Sequence, residues 1–314
     1  MLIGEVHTGL LQHSTSLPTA EAVEFLSLVE GANVTASQRP GSYVVSPDLP
    51  VGVDCMLPSA SRRKVRCVGA TLSRAVLSGG RVVQTSAAAR VEPSAAGRRL
   101  PWSHYIAQVG RLEAIGRTDW ADVVAGFLQP ARRSPFGAAE DTLSLGGIAA
   151  RLMDAVQGAD RLDRRAPLRT QRTRLRWTVM IDEQFSTTGR ARFTVGSDGL
   201  RTVELELGSQ DAAAAQQLCE DLALHDWLLT TVTAYVESVA SSRRSVTDKA
   251  ARLRPVVEHL LHLWMPGARV SPQLSPVWDV LEQRPGFTRQ WNSSVNWIRD
   301  QLTSGTMALL ENAR

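Results

Sequence analysis

Lysine is almost missing from this chain. Lys64 and Lys249 are the two in 314 residues, so 33 of the 35 cations are arginine. A Schiff-base or kinase-type lysine would have to be one of these two, and neither has a matching context. Neither follows a glycine, so the Gly-Lys-Ser/Thr step of a phosphate-binding loop is absent and a Walker-type nucleotide site is excluded. Cysteine is scarce as well. Cys55, Cys67 and Cys219 form an odd set without a CxxC, which argues against a disulfide framework or a structural zinc. Three buried, reduced thiols are expected, as in a cytoplasmic protein. No run approaches the ~18 uncharged apolar residues of a membrane span. Residues 1–7 lack the basic and apolar regions of a secretory signal. There is no GxGxxG after a strand, no GxSxG and no HExxH, so the commonest dinucleotide, hydrolase and zinc-protease signatures are missing.

What is present is a globular composition, 43% apolar and 21% charged. The hydrophobic pattern predicts an α+β fold, with a mainly β N-terminal half and a helical C-terminal half. Leu2 to Thr8 reads as a strand, and Val65–Leu77 and Arg81–Val91 read as a hairpin. Gly79-Gly80 joins that hairpin and supplies the positive φ angles of a tight turn. Ser42–Ser46 and Val51–Leu57 read as short strands. Helices are expected over Thr19–Glu30, capped by Thr19, over Thr118–Leu128 and over Thr142–Val156. Residues 130–141 read as an exposed loop.

Residues 158–171 have no apolar period and are rich in Arg and Asp, so they are the expected linker between domains 1–157 and 172–314. Eight arginines against three aspartates in residues 151–176 make this the one basic band in the chain. Beyond it, Leu175, Trp177, Val179 and Ile181 share one face of a strand, and Arg172, Arg174 and Arg176 share the other. A second hairpin is expected around Gly196–Gly199. From Asp211 onward the pattern is helical, with an apolar stripe of Leu218, Leu222, Leu229, Val232 and Val236 broken only by His225. Further helices are expected over Arg252–Met265, stopped by Pro266-Gly267, and from Phe287 to beyond Leu302.

The arginine row is spaced about 7 Å apart, which suits acidic groups on a partner protein or phosphates. Alternatively, Glu204 and Glu206 on the neighbouring hairpin stand opposite these arginines and pair with them. His225-Asp226 has the form of a metal-phosphohydrolase pair, but no histidine lies between it and His104. Glu258 and His262 are four apart and can reach one metal from one helix face, with His259 beside them. Two ligands do not make a site, so no metal is expected. Cys219 and His225 are six residues apart on one helix, about 9 Å, too far for a nucleophile–base bond. The groups to watch for an enzymatic site are therefore His104, Cys219, His225, Asp226, His259 and His262. Five tryptophans fall between 227 and 297. Most belong to a core, and Trp297, off the buried stripe, is a candidate interface anchor.

Four strings are characteristic: residues 101–105 (PWSHY), 219–229 (CEDLALHDWLL), 259–268 (HLLHLWMPGA) and 285–291 (PGFTRQW). In these the chain resembles a family of uncharacterised actinobacterial proteins of about this length, across its whole span. Members are encoded beside a variant P-loop protein and a methyltransferase-like protein. The resemblance implies a component of a multi-protein system whose catalysis lies in other subunits, and it carries no catalytic residues. The expected function is a non-catalytic cytoplasmic subunit or adaptor without a cofactor, with a P-loop nucleotide-binding protein as its partner. The alternatives are an enzyme with a site outside the known motifs, and contact with nucleic acid or phosphate through the arginine band. A near-neutral charge outside that band argues against nucleic acid.

Overall fold

Alternating side chains build strands, and here they build one sheet. A computed structural model describes residues 1–129, 141–181, 190–208, 212–284 and 286–312. The expected exposed loop, apart from Asp141, lies outside the described residues, as do Asp211 and Pro285.

Among the described residues ten strands form a mixed sheet. They are β1 (Leu2–Leu10), β2 (Thr35–Ser37), β3 (Tyr43–Val45), β4 (Leu49–Met56), β5 (Arg66–Ser78), β6 (Val82–Pro93), β7 (Arg111–Ile115), β8 (Thr173–Ile181), β9 (Arg190–Val195) and β10 (Arg201–Leu207). The helices are α1 (Thr19–Phe25), α2 (Trp102–Ile106), α3 (Trp120–Leu128), α4 (Leu145–Gln157), α5 (Ala212–Ala240), α6 (Val246–His259), α7 (Ser275–Gln283) and α8 (Phe287–Asn312). Strands concentrate in the N-terminal half and helices at the C-terminus, the expected α+β arrangement.

The sheet runs β2-β3-β5-β7-β6-β1-β8-β10-β9, with β4 also on β5. Strands on either side of residues 158–171 belong to it together, because β1 pairs antiparallel with β8, Gly4 opposite Trp177. The β5–β6 hairpin turns at Gly79 and Gly80, with φ of 56° and 62°, and Arg81 N–H closes the turn on Ser78 O at 3.0 Å. The β9–β10 hairpin follows expectation, but β10 lies parallel to β8.

β1 is buried from Ile3 to Leu10 because helices cover both sides of it. Ile3 packs with Leu145, Ile148 and Ala149 of α4 on one face. Val6 and Leu10 join Trp177, Leu218, Leu222 and Trp227 on the other, against α5. A third cluster, around Leu11, Ala22, Leu26 and Met153, closes the far end.

Several boundaries differ from expectation. α1 is shorter than predicted and Pro18, not Thr19, precedes it without a side-chain cap. Asp119 and Ser144 cap α3 and α4. α6 starts at Val246, earlier than expected, under a Ser245 cap, and ends at His259, well before Pro266. β2, β7 and α7 are not among the expected elements, being too short to set up a period.

Candidate ligand-binding site

α5 is apolar nearly all round, so it is buried on more than one side. Glu220 and Asp221 interrupt that surface, and both are buried. A buried carboxylate needs partners. Glu220, 0% exposed, accepts Arg74 Nε on Oε1 and Nη2 on Oε2, each at 2.9 Å. Arg269 Nη2 reaches Oε2 at 2.9 Å, Ser86 Oγ reaches Oε1 at 2.7 Å, and Gln216 Nε2 adds a bond of 3.3 Å. Burial pushes the Glu220 carboxyl up, but the charges of Arg74 and Arg269 outweigh it and hold the pKa at about 2. Gln84 donates to the Glu220 carbonyl at 2.7 Å and accepts from Arg269 Nη1 at 3.4 Å. One side chain thus ties β5, β6, α5 and the segment after α6 together.

Asp221, the next residue, serves that same segment. Its Oδ2 accepts the Gly267 N–H at 2.9 Å and lies 3.5 Å from His225 Nδ1. Burial raises its pKa above the ordinary value despite those neighbours. His225 Nδ1 donates to the Asp221 carbonyl at 2.7 Å, and its Nε2 accepts the Met265 N–H at 3.2 Å. That is the bonding pattern of the neutral Nδ1–H tautomer. Trp264 and Trp278 meet the ring edge-on at 5.0 and 5.7 Å, and Trp264 stacks on Trp291 at 4.2 Å.

Between this polar core and the β5–β6 turn lies a cavity of about 380 Å³. Leu17, Tyr43, Leu263 and Met265 wall it, and Asp221, His225, His262 and Arg269 also face it. The glycines explain the wall. A Cβ on Gly79 would stand 2.2 Å from Leu263, and one on Gly80 would stand 2.0 Å from the Leu17 carbonyl. Gly79 N–H donates to Ser42 O at 2.8 Å, and Gly80 O accepts from Leu17 N–H at 2.9 Å. The turn is therefore pressed between three segments that larger residues would hold apart. Two buried groups on the cavity have an atom without a hydrogen-bond partner among the described residues: Ser78 Oγ and Arg269 Nε. Ser78 is 5% and Arg269 6% exposed. The Arg269 guanidinium also lies over the Tyr43 ring at 5.0 Å.

The watched residues disperse. Asp226 faces away from His225 and binds Arg201 Nε at 2.7 Å, while burial keeps its carboxyl above the ordinary range. Cys219 is fully buried and burial raises its thiol pKa. His104 pairs with Glu113 at 2.6 Å on α2. α6 ends at His259, so Glu258 and His262 do not share a helix face as expected, and Glu258 binds Arg254 at 2.6 Å instead. His262 lines the cavity, and burial with the nearby Arg81 charge lowers its pKa and that of His259. Among the described residues no three His, Cys, Asp or Glu side chains gather to hold a metal.

The arginine row is split up, and not by the expected glutamates. Glu206 and Glu204 face Arg190 and Arg192 on β9. Arg172 pairs with Asp154 at 2.6 Å. Arg176 binds the buried Glu5 at 2.7 Å and the carbonyls of Phe127 and Gln129 at 3.1 and 2.8 Å. Arg174 is exposed and has no ion-pair partner among the described residues. Arg176→Ala leaves the buried Glu5 carboxylate with His7 alone among the described residues, at 3.2 Å, and is expected to lower stability by about 2–3 kcal/mol. Arg174→Ala is expected to stay within about 0.5 kcal/mol. Denaturant titration of both variants checks this, and equal losses would contradict the assignment. Trp297, expected off the buried stripe, is half-buried against the helical core.

The sequence reasoning missed Arg74, Glu220, Asp221 and Arg269. The available signal was the pair of acids at 220–221 inside an otherwise apolar helical run. Among the described residues no helix is long and apolar enough to cross a membrane. No protein-family model matches the chain, and neither a curated protein nor a solved structure matches it significantly.

Proposed function

We propose that the protein is a non-catalytic cytoplasmic subunit of a multi-protein system, and that it works by holding a small molecule in the cavity beside Arg269. The observation that carries this reading is a cavity of about 380 Å³ whose lining includes Ser78 and Arg269, each with a buried polar atom, Oγ and Nε, that has no hydrogen-bond partner among the described residues. Leaving a buried donor unpaired costs about 1–3 kcal/mol, and an acceptor oxygen on a ligand would recover that loss. Most of the wall is apolar, including Leu17, Pro40, Leu224, Leu263 and Met265. The ligand class is therefore a mainly apolar small molecule carrying a carbonyl or carboxylate oxygen. Nearby reactive groups are already engaged: His225 holds backbone through both nitrogens, and the Glu220 oxygens are filled. The resemblance adds a P-loop nucleotide-binding partner, with the exposed Arg174 as the surface group proposed to meet it.

The test is to purify the full chain from its native host, weigh it under native conditions, then denature it and identify what is released. One small molecule per chain is expected. Ala268 also lines the cavity, and Ala268→Leu, which narrows it, is expected to weaken retention at least tenfold while the fold persists. A wild-type preparation that releases nothing and weighs as the bare chain removes this reading.

An enzymatic reading has one observation in its favour. Asp221, with its pKa raised by burial, faces the same cavity as His262, with its pKa lowered by burial and Arg81. In that case Asp221→Asn should abolish turnover of the recovered molecule. In the binding reading wild type does not turn it over.

A further inference from the structure

We propose that Cys55 and Cys67 form a reversible, peroxide-sensitive dithiol, a redox modification site at the base of the β4–β5 hairpin. The two residues face each other directly in the strand register. Their sulfurs lie 3.6 Å apart, and neither is in a disulfide. Directly opposed antiparallel residues have Cα atoms about 4.5–5.5 Å apart. A disulfide accepts roughly 4.4–6.8 Å, so closing the bond asks only for side-chain adjustment.

The surroundings divide the roles. Cys55 is half-buried, not buried as the sequence suggested, while Cys67 is 0% exposed. The hydrogen bond from the Cys67 thiol lowers the Cys55 pKa, and the same bond together with burial raises that of Cys67. Cys55 is thus the sulfur that meets the oxidant, and Cys67 the one that resolves it. The Cys55 thiolate attacks one oxygen of hydrogen peroxide, the O–O bond breaks, and hydroxide leaves with Cys55 as the sulfenic acid. The Cys67 sulfur then displaces the sulfenic hydroxyl, which departs as water with the thiol proton. Two thiols lose two electrons and two protons, and one peroxide becomes two waters.

The bond would close a ring whose far side is already anchored. Between the two cysteines the chain runs through Ser59 and Ser61, which bind Asp122 at the start of α3 at 2.5 and 2.7 Å. Leu57 N–H meets Val65 O at 2.7 Å just inside the ring. Oxidation would therefore staple the base of a connection whose tip is docked on a helix. Cys219, fully buried on α5, serves as an internal control.

The experiment treats the full chain with hydrogen peroxide, then measures intact mass, thiol count in denaturant and a non-reducing peptide map. The expected result is loss of two hydrogens, a fall from three titratable thiols to one, a Cys55–Cys67 peptide and full reversal by dithiothreitol. Cys67→Ser should convert Cys55 to a sulfenic acid that a dimedone trap captures. Cys219→Ser should still form the bond, which keeps the test valid if Cys67→Ser does not fold. Addition of oxygen atoms to Cys55 or Cys67 of wild type in the peptide map, linkage between chains, or three surviving thiols under conditions that oxidise a free cysteine peptide overturns the proposal.

Discussion

Glu220→Gln is expected to lower the free energy of unfolding by about 3–5 kcal/mol, the usual loss when one partner of a buried ion cluster is removed. Glutamine keeps the size of the side chain but withdraws the charge that faces Arg74 and Arg269. Arg269 is buried and Arg74 largely so, and water cannot replace the carboxylate for either. The cluster also joins elements far apart in sequence, so its loss loosens β5, α5 and the 264–271 segment together. Removing the whole cluster is a different experiment. Arg74→Met with Glu220→Leu and Arg269→Met leaves no orphaned charge, and is expected to be less damaging than Glu220→Gln alone. Denaturant midpoints of the two variants decide the point; a single variant as stable as wild type would mean the cluster is solvated.

The same carboxyl sets a pH window. Its folded pKa is about 2, below the ordinary glutamate value. Its contribution is therefore present above about pH 4.3 and is lost as pH falls toward 2. Wild type should lose stability steeply across that interval. Glu220→Gln starts lower and should lack this part of the acid slope, so the two curves converge at low pH.

Much of the framework was legible because it is local. Gly79-Gly80 between two Val- and Ala-rich runs specifies a hairpin turn, and the alternation around Trp177 specifies which face is buried. Strand period assigns a face but never a neighbour. It placed Arg176 opposite the buried face and offered Glu204 and Glu206 as partners, yet the partner is Glu5, 171 residues away. That pairing follows from β1 lying beside β8, a contact between the two ends of a long chain path. The cavity was illegible for the same reason, since it is made by residues near 17, 43, 79, 221 and 265. The acids at 220–221 were readable in principle, because a helix buried all round cannot keep a carboxylate without cations in reach.

Gly4 shows what such a non-local contact demands, and replacing its partner is the second large effect. Trp177, fully buried and directly across from Gly4, lays its indole over the glycine. A Cβ on Gly4 would lie 2.3 Å from Trp177 Cζ2 and 2.4 Å from Cε2. A glycine inside a strand normally weakens it, and this one is kept because another ring occupies the space of its side chain. Trp177→Ala is expected to cost about 3–5 kcal/mol through the hole it leaves against α5. Gly4→Ala is expected to cost about 1–3 kcal/mol through crowding of the same ring. The two losses should not add. In a Trp177→Leu background the Gly4 methyl gains room, so Gly4→Ala should become nearly neutral or stabilising, with a coupling of about 0.5–3 kcal/mol. The four denaturant curves of that cycle measure it. Additive losses would mean that Gly4 is required for its backbone and not for the indole above it; strong coupling would identify this glycine–tryptophan pair as the fit that lets β8 close onto β1 and joins the helical half of the chain to the sheet.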